Sequence, residues 1–63
     1  MTLREARRLR GWTQKQLEAL SGVEQTAISR IERGSIANPG INRVRKLEAA
    51  LKVRLTFGAE AAA

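Results

Sequence analysis

Glycines divide this chain into segments that are each long enough for one short helix and too short for anything larger. Gly11, Gly22 and Gly34 each follow a stretch whose apolar residues recur at helical spacing. Glycine commonly ends a helix because it adopts the left-handed conformation without a steric penalty. A further break, Asn-Pro-Gly at residues 38–40, is typical of a loop. The pattern predicts a bundle of short helices.

Two capping boxes set the starts of the first two helices. Residues 2–5 (TLRE) and 13–16 (TQKQ) each place a threonine three residues before a Glu or Gln, so that each side chain can bind the other residue's backbone N–H. We therefore expect one helix over residues 3–10 and a second that opens with the second box. The second helix is expected to direct Leu17 and Leu20 inward and to end at the second glycine.

Two further helices complete the predicted fold. A third begins near Glu24 or Gln25 and ends at the third glycine, and a fourth covers residues 41–51. The fourth helix carries apolar residues at helical spacing on one face: Ile41, Val44, Leu47 and Leu51. The expected fold class is all-α, with four short helices around a central helix-turn-helix in a domain spanning residues 1–52.

The last segment changes to strand periodicity. Val53, Leu55 and Phe57 alternate with polar residues. We expect a short β-strand over residues 53–58 and a frayed tail over residues 59–63. Because a lone strand leaves backbone groups unpaired, its nearest partner is the same strand of a second copy, which would make a homodimer. The alternative is an extended segment that lies on the core.

The residue inventory excludes most catalytic chemistry. The chain has no His, Asp, Cys or Tyr, so it lacks the usual general bases, nucleophiles and metal ligands. Its glutamates are scattered and mostly lie within a helical turn of Arg or Lys, which is typical of surface charge. We expect no enzyme activity, no catalytic residue, no cofactor and no metal site.

Positive charge dominates the composition. Twelve Lys and Arg against six acidic residues give a net charge of +6, which favours nucleic acid or anionic lipid as a partner.

No apolar run has the length of a membrane span and no signal peptide is visible, so we expect a cytoplasmic protein without a membrane partner. The basic segment at residues 3–10 has only a thin apolar stripe, which disfavours binding to a membrane surface. Two aromatic residues, Trp12 and Phe57, leave little surface for stacking RNA bases.

The third predicted helix has an apolar and a polar side. The apolar side consists of Ala27, Ile28 and Ile31. The polar side consists of Gln25, Thr26, Ser29, Arg30 and Arg33. Arginine binds guanine, glutamine binds adenine, and threonine and serine bond bases or contact the thymine methyl group. The pattern fits either a helix that reads DNA or an ordinary solvated surface.

An ordered set of motifs in the centre of the chain resembles a known family. The run TQKQLEALSGVEQTAISRIERG, residues 13–34, is similar to the helix-turn-helix core of the XRE/Cro family, the lambda-repressor-like DNA-binding domains. The likeness extends to Arg-Glu-Ala-Arg before this run and to Asn-Pro and Leu-x-x-Ala-Leu-x-Val after it. It implies a homodimeric transcriptional regulator, a repressor that binds double-stranded DNA at a pseudo-palindromic operator.

The resemblance also implies roles for individual side chains. It places the third helix in the major groove, where the base-reading residues are Gln25, Thr26, Arg30, Ser29 and Glu24. Glu24 stands where a Ser or Thr cap is usual, and it can accept a hydrogen bond from cytosine. The implied phosphate contacts are Gln14, Lys15, Arg10, Arg33, Ser35, Asn38 and Arg43. Arg7 and Glu32 match a pair that forms a salt bridge between the first and third helices.

Several positions depart from the family pattern. Glu18 and Glu48 stand where a small Ala is usual, so we expect their side chains to reach water or to open the helix packing slightly. Trp12 replaces a smaller residue and is expected to cap the core. Lys52 replaces the Gly that usually ends the fourth helix, which puts a left-handed cap there in doubt. The strand-like ending resembles Hip-type antitoxins, which implies an alternative function: an antitoxin that binds a toxin protein and its own operator.

Overall fold

A computed structural model describes residues 1–36 and 39–56. In that part of the chain it forms four α-helices: α1 (Leu3–Leu9), α2 (Gln14–Ser21), α3 (Gln25–Glu32) and α4 (Ile41–Leu51). The described ranges contain no strand. The helical prediction is confirmed, with element ends that agree to within a residue or two.

Both predicted capping boxes are confirmed. In the first, the Thr2 hydroxyl accepts from the Glu5 N–H at 3.2 Å, and the Glu5 carboxylate accepts from the Thr2 N–H at 2.9 Å. In the second, the Thr13 hydroxyl accepts from the Gln16 N–H at 3.0 Å, and the Gln16 side-chain oxygen accepts from the Thr13 N–H at 2.8 Å. These bonds satisfy N–H groups that have no carbonyl partner inside the helix, so they fix where α1 and α2 begin.

The core lies where the four helices meet. Its completely buried side chains are Leu17, Ile28, Leu47 and Leu51. The other buried apolar residues are Leu3, Ala6, Val23, Ala27, Ile31 and Leu55. Helix α2 packs against both α3 and α4, and α1 packs against α3. Trp12 lies partly buried against this cluster, in the core-capping position expected from the sequence.

Two residues predicted to face the core are exposed. Leu20 retains 57% of its surface and Ile41 retains 63%, so both predictions are wrong. At about 100° per residue, Ile41 lies roughly 80–120° around the α4 axis from Leu51 and Leu47, beyond the edge of the buried stripe. On α2, Leu17 is the buried residue, and Leu20 lies outside the core.

The predicted C-terminal strand is absent over residues 53–56. Leu55 is buried in the core, and its backbone N–H donates to the Glu48 carboxylate at 2.9 Å. The next N–H, that of Thr56, donates to the Met1 carbonyl at 2.8 Å. Partners within the same chain thus bind both N–H groups, and the segment lies on the core, as in the alternative expected from the sequence. Phe57, the rest of the predicted strand and the tail at residues 59–63 lie outside the described residues.

The left-handed cap that the sequence put in doubt is present at the end of α4. Lys52 adopts φ 57° and ψ 39°, and its N–H donates to the Glu48 carbonyl at 2.7 Å. Gly22 ends α2 in the same conformation, at φ 80°, where glycine has no steric penalty. Lys52 therefore carries backbone strain that Gly22 avoids.

Candidate nucleic-acid interface

The start of α3 is capped from the preceding helix. A Glu18 carboxylate oxygen accepts from the Gln25 N–H at 3.0 Å, whereas Glu24, at the N-cap position, makes no side-chain cap bond. Val23, in the turn between α2 and α3, is buried and anchors it to the core. Glu18 and Glu48, which were expected to reach water or to open the packing, are half-buried, and each carboxylate binds a backbone N–H.

Helix α3 separates its apolar and polar residues as the sequence predicted. Its buried side packs Ala27, Ile28 and Ile31 into the core. Its outer face is defined here as Gln25, Thr26, Ser29 and Arg30. Three of these residues are exposed and Ser29 is half-buried. None of the four side chains has a hydrogen-bond or ion-pair partner among residues 1–36 and 39–56, so the face is open to a ligand.

A partly buried ion pair joins the end of α3 to α1. The Glu32 side chain is fully buried, and its carboxylate accepts from Arg7 Nε at 2.7 Å and from Arg7 Nη2 at 3.0 Å. The third nitrogen of the guanidinium, Nη1, donates to the Trp12 carbonyl at 2.7 Å. This is the salt bridge that the resemblance implied, in its two-bond form, which fixes the angle between the two partners.

Gln14 joins the same network from the start of α2. Its side-chain nitrogen donates to Glu32 Oε1 at 3.2 Å, and Arg4 Nε lies 3.5 Å from that oxygen. Burial raises the pKa of Glu32, but hydrogen bonds from Arg7 and Gln14 and the Arg7 charge outweigh it, so the pKa falls below its ordinary 4.5. The hydrogen bond to Glu32 raises the pKa of Arg7 in turn. The Gln14 amide is thereby held in one orientation, with one N–H and its oxygen still available.

The other predicted phosphate ligands divide into two groups. Four are exposed, and their side chains have no partner in the described ranges: Lys15, Arg33, Ser35 and Arg43. Arg10 differs, because its Nη2 donates to the Leu51 carbonyl at 2.6 Å and its guanidinium lies 5.8 Å from the Trp12 ring centre. Arg10 therefore ties α1 to the end of α4. Asn38 lies outside the described residues.

Most glutamates of the described chain have a defined hydrogen-bond donor. Of the five glutamates within residues 1–36 and 39–56, four accept a hydrogen bond from a defined partner: Glu5, Glu18, Glu32 and Glu48. All twelve Lys and Arg also lie in these ranges, so the described surface has an excess of positive charge. Such a surface attracts a polyanion.

Comparison with known proteins identifies this arrangement. The helix-turn-helix family model HTH_3 matches residues 3–57, which include all four helices. The chain belongs to the XRE helix-turn-helix family. The match is to a family of helix-turn-helix domains and not to an enzyme family.

Three regulators resemble this XRE-family chain over most of its length. SlrR, an HTH-type transcriptional regulator of Bacillus subtilis (strain 168), is 40% identical over 60 residues, covering 92% of this chain and 40% of SlrR. The uncharacterised HTH-type transcriptional regulator RghRB of the same strain is 45% identical over 51 residues, covering 81% of this chain and 37% of RghRB. An uncharacterised HTH-type transcriptional regulator of Haemophilus influenzae is 50% identical over 47 residues, covering 75% of this chain and 47% of that regulator.

The XRE-family chain spans less than half the length of each of these relatives. No solved structure matches it significantly. None of the helices in the described part of the chain has the length and apolar character needed to cross a membrane.

Proposed function

We propose that this chain reads specific DNA sites by placing α3 in the major groove, with the outer face of α3 against the base edges. The observation that carries this proposal is the open outer face on a helix whose other side is locked into the core. Arg30 suits the two acceptors of guanine, Gln25 suits adenine, and Thr26 suits a thymine methyl or a base acceptor.

Phosphate contacts at the start of α2 set the register. The N–H groups of Gln14 and Lys15, the first two residues of α2, have no helical acceptors and point in the direction favoured by an anion, whereas the Gln16 N–H is capped by Thr13. Gln14 lies in this turn with its amide oriented by Glu32, and Lys15 adds an exposed positive charge beside it. Arg33, Ser35 and Arg43 extend the proposed contacts. Arg10 is left out, because its guanidinium is bound to the Leu51 carbonyl.

Two copies of the chain are proposed to bind together. Four side chains on one short helix read only a few base pairs, which is too little information for a unique site. A two-fold pair of α3 helices spaced about 34–36 Å apart reads an inverted repeat on one side of the duplex. Bound over a promoter, such a dimer acts as a repressor. The antitoxin alternative is not proposed, because the strand that suggested it is absent over residues 53–56.

The direct test is selection of bound duplexes from a random-sequence library at moderate salt. We expect an inverted repeat whose half-site centres lie about one helical turn apart. Arg30→Ala is expected to cost about 1–3 kcal/mol of binding free energy and to relax one base pair in each half-site.

The matched control is Arg54→Ala, which removes an equal charge from an exposed position outside α2 and α3. It is expected to weaken binding only slightly and by the same factor on every sequence. If no motif emerges from the wild-type selection and binding collapses as salt is added, the proposal is wrong, and the chain binds DNA only through its positive charge.

A further inference from the structure

Glu24 differs from every other described glutamate. Its side chain is exposed, makes no cap bond to α3, and has no ion-pair partner within residues 1–36 and 39–56. The other four glutamates in those ranges each bind a defined donor, as described above. Glu24 is therefore the one carboxylate of the described chain that folding does not use.

The first N–H of α3 is bound from the preceding helix, because the Gln25 N–H donates to Glu18 at 3.0 Å. An N-cap side chain commonly accepts from the N–H of the second or third helical residue, and Glu24 makes no such bond. A short Ser or Thr would cap α3 at the Glu24 position without adding negative charge. In the proposed complex, a free carboxylate at this point, directly before Gln25 and Thr26, faces DNA and is repelled by phosphates and by base acceptors.

We propose that Glu24 determines specificity by accepting a hydrogen bond from the N4 amino group of a cytosine in the major groove. This inference rests on the proposed function, since it requires α3 to lie in that groove. Guanine and thymine present only acceptors along their hydrogen-bonding edges there, so a carboxylate facing them is left desolvated and without a donor. Cytosine presents the N4 donor and relieves that cost. Adenine also presents a donor, its N6 amino group, but beside the N7 acceptor, so Glu24 rejects guanine and thymine most strongly and adenine less.

The test repeats the duplex selection with the wild-type chain and with Glu24→Gln. The wild type is expected to require cytosine at one position of each half-site, with about a tenfold loss when guanine or thymine replaces it. Glu24→Gln is expected to lose that requirement or shift it to adenine, the base that glutamine binds best, while every other position of the motif stays unchanged. Thermal melting of both proteins should coincide, because Glu24 has no folding partner.

Glu5→Gln is the matched control. It makes the same change in net charge on α1 and keeps the capping box, since glutamine serves in that motif as well as glutamate. It is expected to leave the motif intact. If Glu24→Gln also leaves every motif position intact and tightens binding equally on all duplexes, Glu24 is only a repulsive charge and the inference is overturned. A wild-type selection without any motif overturns the proposed function as well, so the two failures are distinguishable.

Discussion

The two sides of α3 differ in their hydrogen bonding. The side that faces α1 carries a carboxylate that accepts three hydrogen bonds, whereas the side chains of the outer face have no hydrogen-bond partner in the described ranges. Glu32 is fully buried and bound by Arg7 and Gln14. Arg30 and Gln25 lie in solvent with no partner in the described ranges. The same eight-residue helix is therefore fixed on one side and available for binding on the other. Changes on the first side should affect folding, and changes on the second should affect DNA binding.

The largest expected effect comes from breaking the partly buried ion pair between Arg7 and Glu32. Arg7→Ala leaves the Glu32 carboxylate buried without its main donor, which should lower the free energy of unfolding by about 3–5 kcal/mol. That is a large fraction of the stability of a domain of this size. Urea denaturation followed by circular dichroism measures it. Arg30→Ala removes the same side chain from the outer face and should stay within about 0.5 kcal/mol of wild type. Equal losses in the two variants would contradict the comparison.

Acid should act on the same side of α3. The pKa of Glu32 is lowered in the folded state, so its ionised form contributes stability that is fully present above its ordinary value of 4.5. That contribution is lost as the pH falls from about 4.5 through the folded pKa. Urea midpoints measured from pH 7 to pH 2.5 should fall across this range.

Two variants separate the sources of this acid sensitivity. Glu32→Gln should flatten the fall, because no carboxylate remains there to be protonated. Glu5 adds a smaller effect of the same sign, since the hydrogen bond from the Thr2 backbone lowers its pKa. Glu5→Gln should therefore keep most of the slope. A Glu32→Gln protein as acid-sensitive as wild type would show that other carboxylates govern the response.

Glu18 and Glu24, the two carboxylates near the start of α3, should differ in their effect on stability, by a smaller amount than Arg7 and Arg30. Glu18→Ala removes the cap on the Gln25 N–H and should cost about 0.5–2 kcal/mol of stability. Glu24→Ala, at the position next to Gln25, should change stability by less than about 0.5 kcal/mol. Thermal or urea unfolding of both proteins decides the matter. A larger loss in Glu24→Ala than in Glu18→Ala would mean that Glu24 caps the helix.

Local patterns allowed most of the fold to be predicted from the sequence. The capping boxes at Thr2 and Thr13 involve residues three apart, so the sequence alone contains both partners. The apolar side of α3 was likewise readable, because helical spacing places Ile28 and Ile31 together. Periodicity does not give the width of a buried stripe, however, and Leu20 and Ile41 were therefore assigned to the core wrongly.

Contacts between elements account for what the sequence did not reveal. The Gln25 N–H donates to Glu18 and the Leu55 N–H donates to Glu48, in each case across a turn. Neither spacing belongs to a known capping motif, so the sequence does not predict these bonds. The closure of the last segment on Met1 joins residues 55 apart in the chain. Of the candidate site, the outer face of α3 was predicted as a set, while the structural role of Arg10 emerged only once α1 was packed beside the end of α4.

The smallest expected effect is a gain in stability at a point outside the outer face of α3. Lys52 holds the left-handed conformation that Gly22 holds at the end of α2, and only the lysine carries a steric penalty for it. Lys52→Gly removes that penalty, about 1–2 kcal/mol, at the cost of greater freedom in the unfolded chain, so the net gain should be about 0.5–1 kcal/mol. In a domain of this size such a gain raises the melting temperature by about 2–8 °C.

Lys52→Ala is the control: it loses the same charge but keeps the backbone strain, and it should melt near wild type. Because Lys52 lies outside α2 and α3, Lys52→Gly should also select the same DNA motif as wild type, whereas a changed motif would show that stability and recognition are coupled through the end of α4.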